Sequence, residues 1–182
     1  MEKDVFYYLK SKKTILYPTD TVWGLGCDAT DIEAVKKIYK LKNREESKSL
    51  IILVSSINML KKYVSVPKKA IEIIKKAEKP TTIIYQNPKN IAFNAISSED
   101  NTLAIRVVQD DFCRKLIKKF GKPIISTSAN ISGNPTPKSF SEISQPILES
   151  VDYIVSLQQE RKTTKSSTIL KIEDNKIIVL RE

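Results

Sequence analysis

The side chains best suited to chemistry in this sequence are hydroxyls, lysines and arginines gathered in three short stretches. The first is YPTDTVWGLGCD, Tyr17 to Asp28, where an apolar run gives way to two threonines, an acid and half of the chain's four glycines. Thr19 and Thr21 can donate and accept hydrogen bonds, while Gly24 and Gly26 let a ligand approach bare backbone. An ordinary turn is the competing reading. The second stretch, KLKNREESKSLIILV, holds Lys42, Arg44 and Lys48 between a helical pattern and an apolar run. Arg44 offers a planar fork for phosphate oxygens, and the two ammonium groups can offset charge as a triphosphate is cleaved. A helix C-terminus dressed with cations to suit its dipole would look the same at any one of these residues. The third, PIISTSANISGNPTP, Pro123 to Pro137, is rich in neutral donors: Ser126, Thr127, Ser128, Asn130 and Thr136. Strand ends that open into polar turns are where open α/β sheets bind ligands, although a cap and a turn would use the same residues.

What is missing narrows the chemistry further. The chain has no histidine, which removes Ser-His-Asp and Cys-His catalysis and histidine-containing metal sites. Cys27 and Cys113 are too few for a disulfide framework or a four-thiolate zinc site and sit among apolar neighbours, so both read as buried free thiols. Neither a P-loop nor a strand-anchored GxGxxG occurs, so phosphates must be held some other way. With 31 basic against 21 acidic residues the net charge is +10, and polyanions become the default partners. Only five of those basic residues are arginine. Arg44, Arg106 and Arg181 lie beside strand-like runs and mark positions needing the guanidinium fork, whereas Arg114 and Arg161 read as surface residues. No carboxylate stands out as a general base; Asp20 could act through water, but an acid in a turn is more commonly structural.

The elements that must position these residues alternate between short β-rich runs and amphipathic helical patterns, which predicts an α/β fold. In order come TILYP, the helix DIEAVKKIYKLK, SLIILV, two lysine-rich helical segments around Pro67, TTIIY and TLAIRVV. Ile32, Val35, Ile38 and Tyr39 form one core stripe after the candidate cap Asp31. Phe112, Cys113, Leu116, Ile117 and Phe120 form another, ending at Gly121. A helix around Phe140 to Leu148, a strand YIVSL, a basic loop and a hairpin of STILKI and KIIVL turned at Glu173 to Asn175 complete the chain. The 182 residues suit one domain, 1–182. No apolar run approaches a spanning helix and MEKDVFYYLKSKK has the wrong charge order for a signal peptide, so a cytoplasmic location is expected.

Taken together and in this order, the three stretches resemble the YrdC family of threonylcarbamoyl-AMP synthases. YPTDTVWGLGCDA is similar to the family's opening signature, Lys42 to Arg44 to its K-x-R element and STSANISG to its S-x-N element; SSTIL near Ser167 and the terminal VLR at Arg181 extend the match. Departures are Trp23 where the family usually has tyrosine, Leu53 where many members have histidine, and EKPTT, Glu78 to Thr82, in place of a W-P-G-P-x-T stretch. The resemblance implies a twisted, mixed open α/β sheet with flanking helices and a large basic cavity. It further implies that L-threonine, bicarbonate and ATP, with magnesium, yield threonylcarbamoyl-adenylate and pyrophosphate for the threonylcarbamoyladenosine modification of tRNA. On that basis L-threonine contacts fall on Thr21, Arg106, Ser126 and Ser167. Nucleotide contacts fall on Lys42, Arg44, Lys48, Thr102, Ser128, Asn130, Thr136 and Arg181, with Lys42, Arg44 and Lys48 carrying catalysis and no side chain assigned to a metal.

The implied mechanism suits a chain without histidine: the amine and bicarbonate give a carbamate whose oxygen attacks the α-phosphate, so the protein acts by positioning and charge stabilisation. Downstream threonylcarbamoyl-transfer enzymes would use the product, and no membrane partner is expected. The rival readings are a non-catalytic basic module that binds tRNA or double-stranded RNA and a carbamoyl-transfer domain of a larger maturation enzyme.

Overall fold

The computed structural model describes every residue except 1, 47–49, 161, 163–165 and 174–175. Its strands are β1 (Ile15–Tyr17), β2 (Gly24–Gly26), β3 (Ile51–Val54), β4 (Thr81–Gln86), β5 (Thr102–Val107), β6 (Ile124–Ser128), β7 (Tyr153–Ile154), β8 (Thr168–Glu173) and β9 (Lys176–Arg181). The helices are α1 (Glu2–Lys10), α2 (Ile32–Lys42), α3 (Ile57–Leu60), α4 (Lys68–Lys76), α5 (Asp111–Phe120) and α6 (Gln145–Ser150). The strands join one open sheet in the order β7-β1-β2-β6-β3-β5-β4-β8-β9. Pairing is parallel for β1 with β7, β3 with β5 and β4 with β8, and antiparallel elsewhere, giving the mixed α/β sheet with flanking helices that the alternation predicts.

Two helices show how local chemistry sets the boundaries. In α2 the Asp31 carboxylate accepts from the Ala34 amide at 2.9 Å, and the helix ends where Asn43 takes left-handed backbone, φ 48°. Val35, Ile38 and Tyr39 are buried as expected, whereas Ile32 sits in the first turn with 37% of its surface exposed. In α5 the Asp110 carboxylate accepts from the Cys113 amide at 2.9 Å and Gly121 closes the helix at φ 80°. Cys113, Leu116 and Ile117 enter the core, with Phe112 and Phe120 half-buried at its rim. Cys27 and Cys113 are both free and buried.

Four elements depart from the pattern reading. The stretch Phe140 to Leu148 is not one helix: a 3₁₀ turn, Phe140–Glu142, precedes α6, where Pro146 suits the first turn because its missing N–H has no partner there anyway. The strand at YIVSL is only Tyr153–Ile154. The first residues, read only for their charge order, form α1, which buries Val5 and Leu9. Gly24-Leu25-Gly26, read as turn, is a strand between β1 and β6. Its glycines are required by packing: a Cβ at Gly26 would sit 2.6 Å from both the Ile125 carbonyl oxygen and the Tyr17 ring. β8 and β9 pair as the predicted hairpin; residues 174–175 of its turn lie outside the described residues.

Candidate active site

Strand alternation builds one face of the site. Thr82 and Ile84 on β4 stand opposite Arg106 and Ala104 on β5, and Ser126 and Ser128 on β6 share that side of the sheet. Ile84, Ala104, Arg106, Ser126 and Ser128, with Thr21, Arg44, Thr127, Thr136, Ser167, Ile169 and Arg181, line a cavity of about 340 Å³, and Thr82 is buried behind that lining. An adjoining hollow of about 250 Å³ shares Arg44, Thr127 and Ser128 and adds Lys42, Glu45, Asn130, Ser132 and Gly133. Arg44 thus stands at the junction. Three of the five arginines meet in one cavity, although 137 positions separate the first from the last.

At one end lies Arg106, 3% exposed, with its Nη2 3.0 Å from Asp20 Oδ1 and 3.4 Å from the Thr21 hydroxyl. Its Nε is buried without a hydrogen-bond partner. Thr21 is held by a short local network: its amide donates to Thr19 Oγ1 at 3.1 Å, and that hydroxyl donates to the Val22 carbonyl at 2.7 Å. Beside it, Arg181 at the end of β9 donates through Nε and Nη2 to the Ser167 carbonyl at 3.0 and 2.8 Å. The Ser167 hydroxyl lies 2.8 Å from that of Thr82. Burial, and then the neighbouring Arg106 charge, lowers the Arg181 pKa, yet a guanidinium starts so high that it stays charged.

The other end is organised by the turn in K-N-R. Because Asn43 leaves the helix through left-handed backbone, Lys42 points back under the third stretch while Arg44 enters the cavity. Lys42 Nζ donates to the carbonyls of Ser128 and Asn130 at 2.5 and 2.6 Å, and the Lys42 carbonyl accepts from the Ser132 amide at 2.8 Å. One lysine therefore clamps the loop from both its ends. Burial first, and the Arg44 charge second, pull the Lys42 pKa down to about 8.

Asn130 spends its amide nitrogen on the loop itself, donating to the Asn134 carbonyl at 2.7 Å and the Ile131 carbonyl at 3.0 Å. What it leaves open is an acceptor: Asn130 Oδ1, like Ser132 Oγ, is buried without a partner.

Thr21, Arg106, Ser126, Ser167, Ser128, Thr136, Arg44 and Arg181 therefore line the cavity, and Lys42 and Asn130 line the hollow beside it. Thr102 does not line either; it pairs with Gln86 and its hydroxyl donates to Asp100 at 2.7 Å. Lys48 lies outside the described residues. Of the other arginines, Arg114 is exposed beside Asp111, and Arg161 lies outside the described residues. The sequence reading missed Thr82, which supports the cavity from behind through the Ser167 hydroxyl and whose only signal was its parity with Ile84 along β4, and the Asp20–Arg106 pair, which no spacing announces. Trp23 and Leu53 are buried and do not themselves line the cavity: Trp23 packs on Phe140 with ring centres 5.0 Å apart, and Leu53 stands beside Arg106 across β3 and β5. No helix is long and apolar enough to cross a membrane among the described residues.

A family model for Sua5, YciO and YrdC proteins, described as telomere recombination, matches residues 7–182, and the chain belongs to that family. A Methanocaldococcus jannaschii relative is 37% identical over 185 residues, covering 99% of this chain and 86% of its own. A Psychromonas ingrahamii protein named threonylcarbamoyl-AMP synthase is 36% identical over 173 residues, covering 93% and 81%. The crystal structure of P. abyssi Sua5 complexed with L-threonine superimposes with a TM-score of 0.87 at 26% identity, covering 99% of this chain; the chain spans about half of that one, 53%.

Proposed function

We propose that this member of the Sua5, YciO and YrdC family is an L-threonylcarbamoyladenylate synthase, a nucleotidyltransferase that makes the activated intermediate for threonylcarbamoyladenosine in tRNA. Its substrates are L-threonine, bicarbonate and ATP. The observation that carries this reading is the joining of two unlike anion sites: the Arg106 end, with one buried guanidinium among neutral hydroxyls, and the Lys42–Arg44 end, suited to a polyphosphate, share Arg44, Thr127 and Ser128. Relatives with this name, and one held with L-threonine, point the same way.

In this reading the threonine carboxylate meets Arg106, and the neutral hydroxyls of Thr21, Ser126 and Ser167 face its amine and side chain. The amine, having given up its ammonium proton, adds to the carbon of bicarbonate with loss of water, giving a carbamate. A carbamate oxygen then attacks the α-phosphorus of ATP and pyrophosphate leaves. Arg44, Lys42 and Lys48 offset the charge that gathers on the phosphates, and Arg181 borders the attacking group. No side chain needs to exchange a proton with the phosphates, which is why the chain can dispense with histidine.

Magnesium fits this site as a companion of the triphosphate. Among the described residues no three carboxylates or thiolates converge, and Glu45 is the one acid among those lining the two spaces. The orphaned oxygens Asn130 Oδ1 and Ser132 Oγ are hard neutral donors of the kind a phosphate-borne magnesium meets. When bound it would withdraw charge from the phosphate oxygens. The product would pass to enzymes that transfer threonylcarbamoyl to tRNA.

Purified protein incubated with L-threonine, bicarbonate, ATP and magnesium, without RNA, should release pyrophosphate and an adenylate whose mass includes threonine and one carbon from bicarbonate. RNA binding with no such product would overturn the assignment in favour of a binding module.

A further inference from the structure

We propose that Asp20 is the positioning residue of the amino-acid end, holding Arg106 from behind so that its unspent donor faces an incoming carboxylate. The inference rests on the assignment of L-threonine to that end. Arg106 lines the cavity and Asp20 does not, yet their side chains are 3% and 9% exposed and meet at 3.0 Å. The acid is therefore a fixed counter-ion outside the ligand's space rather than a competitor within it.

Three observations tie its position to the surrounding fold. The Thr19 hydroxyl closes the turn that carries Asp20 by accepting from Thr21 N and donating to Val22 O. The Cys113 thiol on α5 contacts the Pro18 carbonyl at 3.4 Å, tying the end of β1 to that helix. The Gln109 amide lies 3.4 Å from Asp20 Oδ2, and the Gln109 side chain is anchored on the Ala77 carbonyl at 2.6 Å. On the guanidinium side, Nη2 faces Asp20 Oδ1 as an ion pair at 3.0 Å and lies 3.4 Å from the Thr21 hydroxyl, while Nε and Asp20 Oδ1 are both buried without a hydrogen-bond partner. A buried donor left unspent costs free energy, and a carboxylate bound in the cavity would recover it. Without Asp20, Arg106 would also feel the Arg181 guanidinium with nothing to offset it.

The test compares two ligands that differ only in the carboxylate. Asp20→Asn should raise the KM for L-threonine about tenfold or more, since small misplacements of a binding group are costly, while kcat at saturating threonine and the KM for ATP stay within about twofold. Threoninol, which keeps the amine and the hydroxyl but lacks the carboxylate, should inhibit wild type and variant with the same Ki. Asp20→Glu, which retains the charge, should fall between the two. If Asp20→Asn fails to fold, Asp20→Glu carries the comparison by itself: a loss confined to threonine supports positioning through Arg106. An unchanged threonine KM, or equal losses for threonine and threoninol, would overturn it. Wild-type protein that makes no adenylate from threonine would instead remove the functional assignment.

Discussion

The two ends of the cavity keep a buried cation in opposite ways. Arg106 has an acid behind it, Asp20 at 3.0 Å, which offsets its charge and leaves Arg181 to make the amino-acid end net positive. Among the described residues no acid pairs with Lys42: its ammonium rests on the carbonyls of Ser128 and Asn130 with Arg44 nearby. A paired buried guanidinium keeps its charge at any physiological pH, whereas an ammonium held by dipoles alone loses much of its margin. The lesson is one of matching: a single carboxylate needs orientation more than net charge, while a triphosphate needs net positive charge, and Lys42 and Arg44 outweigh Glu45, the one acid lining that hollow.

The largest expected effect is at the junction. Arg44→Ala should lower ATP-dependent adenylate formation by about a hundredfold or more, as loss of a transition-state donor does. Threonine binding measured by calorimetry and the thermal midpoint should stay near wild type. A parallel loss of threonine affinity would mean the ends are not separable.

Next comes Lys42→Met, which keeps the length and removes the clamp. Two buried carbonyls lose their charged donor, so stability should fall by about 1–3 kcal/mol in urea titration. ATP affinity should drop about tenfold, because the loop carrying Ser128 and Asn130 loses its anchor at the same time. Normal stability in this variant would show that the loop holds itself.

The third prediction uses pH. Between about 8 and the ordinary lysine value of 10.5 the unfolded chain holds a proton on Lys42 that the empty folded site does not. Folding stability from this group therefore rises with pH across that window, and the penalty for burying the charge is complete below it. Triphosphate binding runs the other way, since it favours the ammonium. ATP affinity should fall as pH rises through about 8, and at pH 9 binding should take up about one proton, read by calorimetry in buffers of different ionisation enthalpy. Lys42→Arg should abolish the uptake. Threonine affinity at the Arg106 end should follow only the ligand's own amine, with the same profile in Lys42→Arg.

The smallest effect is expected at Ser167. Ser167→Ala removes the hydroxyl that lies 2.8 Å from Thr82 and 3.3 Å from Arg181 Nη2, while the carbonyl that Arg181 chiefly uses remains. Threonine KM should rise about two- to tenfold, the scale of one ordinary hydrogen bond. A hundredfold loss would give Ser167 a larger part in the chemistry.

How much of this was legible beforehand divides along the same lines. Features written in a residue's own chemistry were readable: hydroxyls at strand ends, the cations of K-N-R, and the scarcity of arginine, which singled out Arg44, Arg106 and Arg181 before any geometry was known. Features that arise only when distant chain segments meet were not. Gly24 to Gly26 looks like a turn because glycine lacks strand preference; it is a strand because Tyr17 and Ile125 close on it from both sides. Thr102 shares the parity of Ala104 and Arg106, but it sits at the far end of β5, where Asp100 takes its hydroxyl. Asn130 read as a donor to phosphate, and its loop instead uses that donor and leaves the oxygen open.

The central claim is that one cavity seats an amino acid beside a triphosphate, and a crystal structure with L-threonine and a non-hydrolysable ATP analogue tests it most directly. The account predicts the threonine carboxylate on Arg106, the phosphates on Arg44 and above the Lys42 loop, and the amine directed toward the α-phosphate across their shared space. Density for the two ligands in separate hollows, or phosphates seated on Arg106, would contradict it.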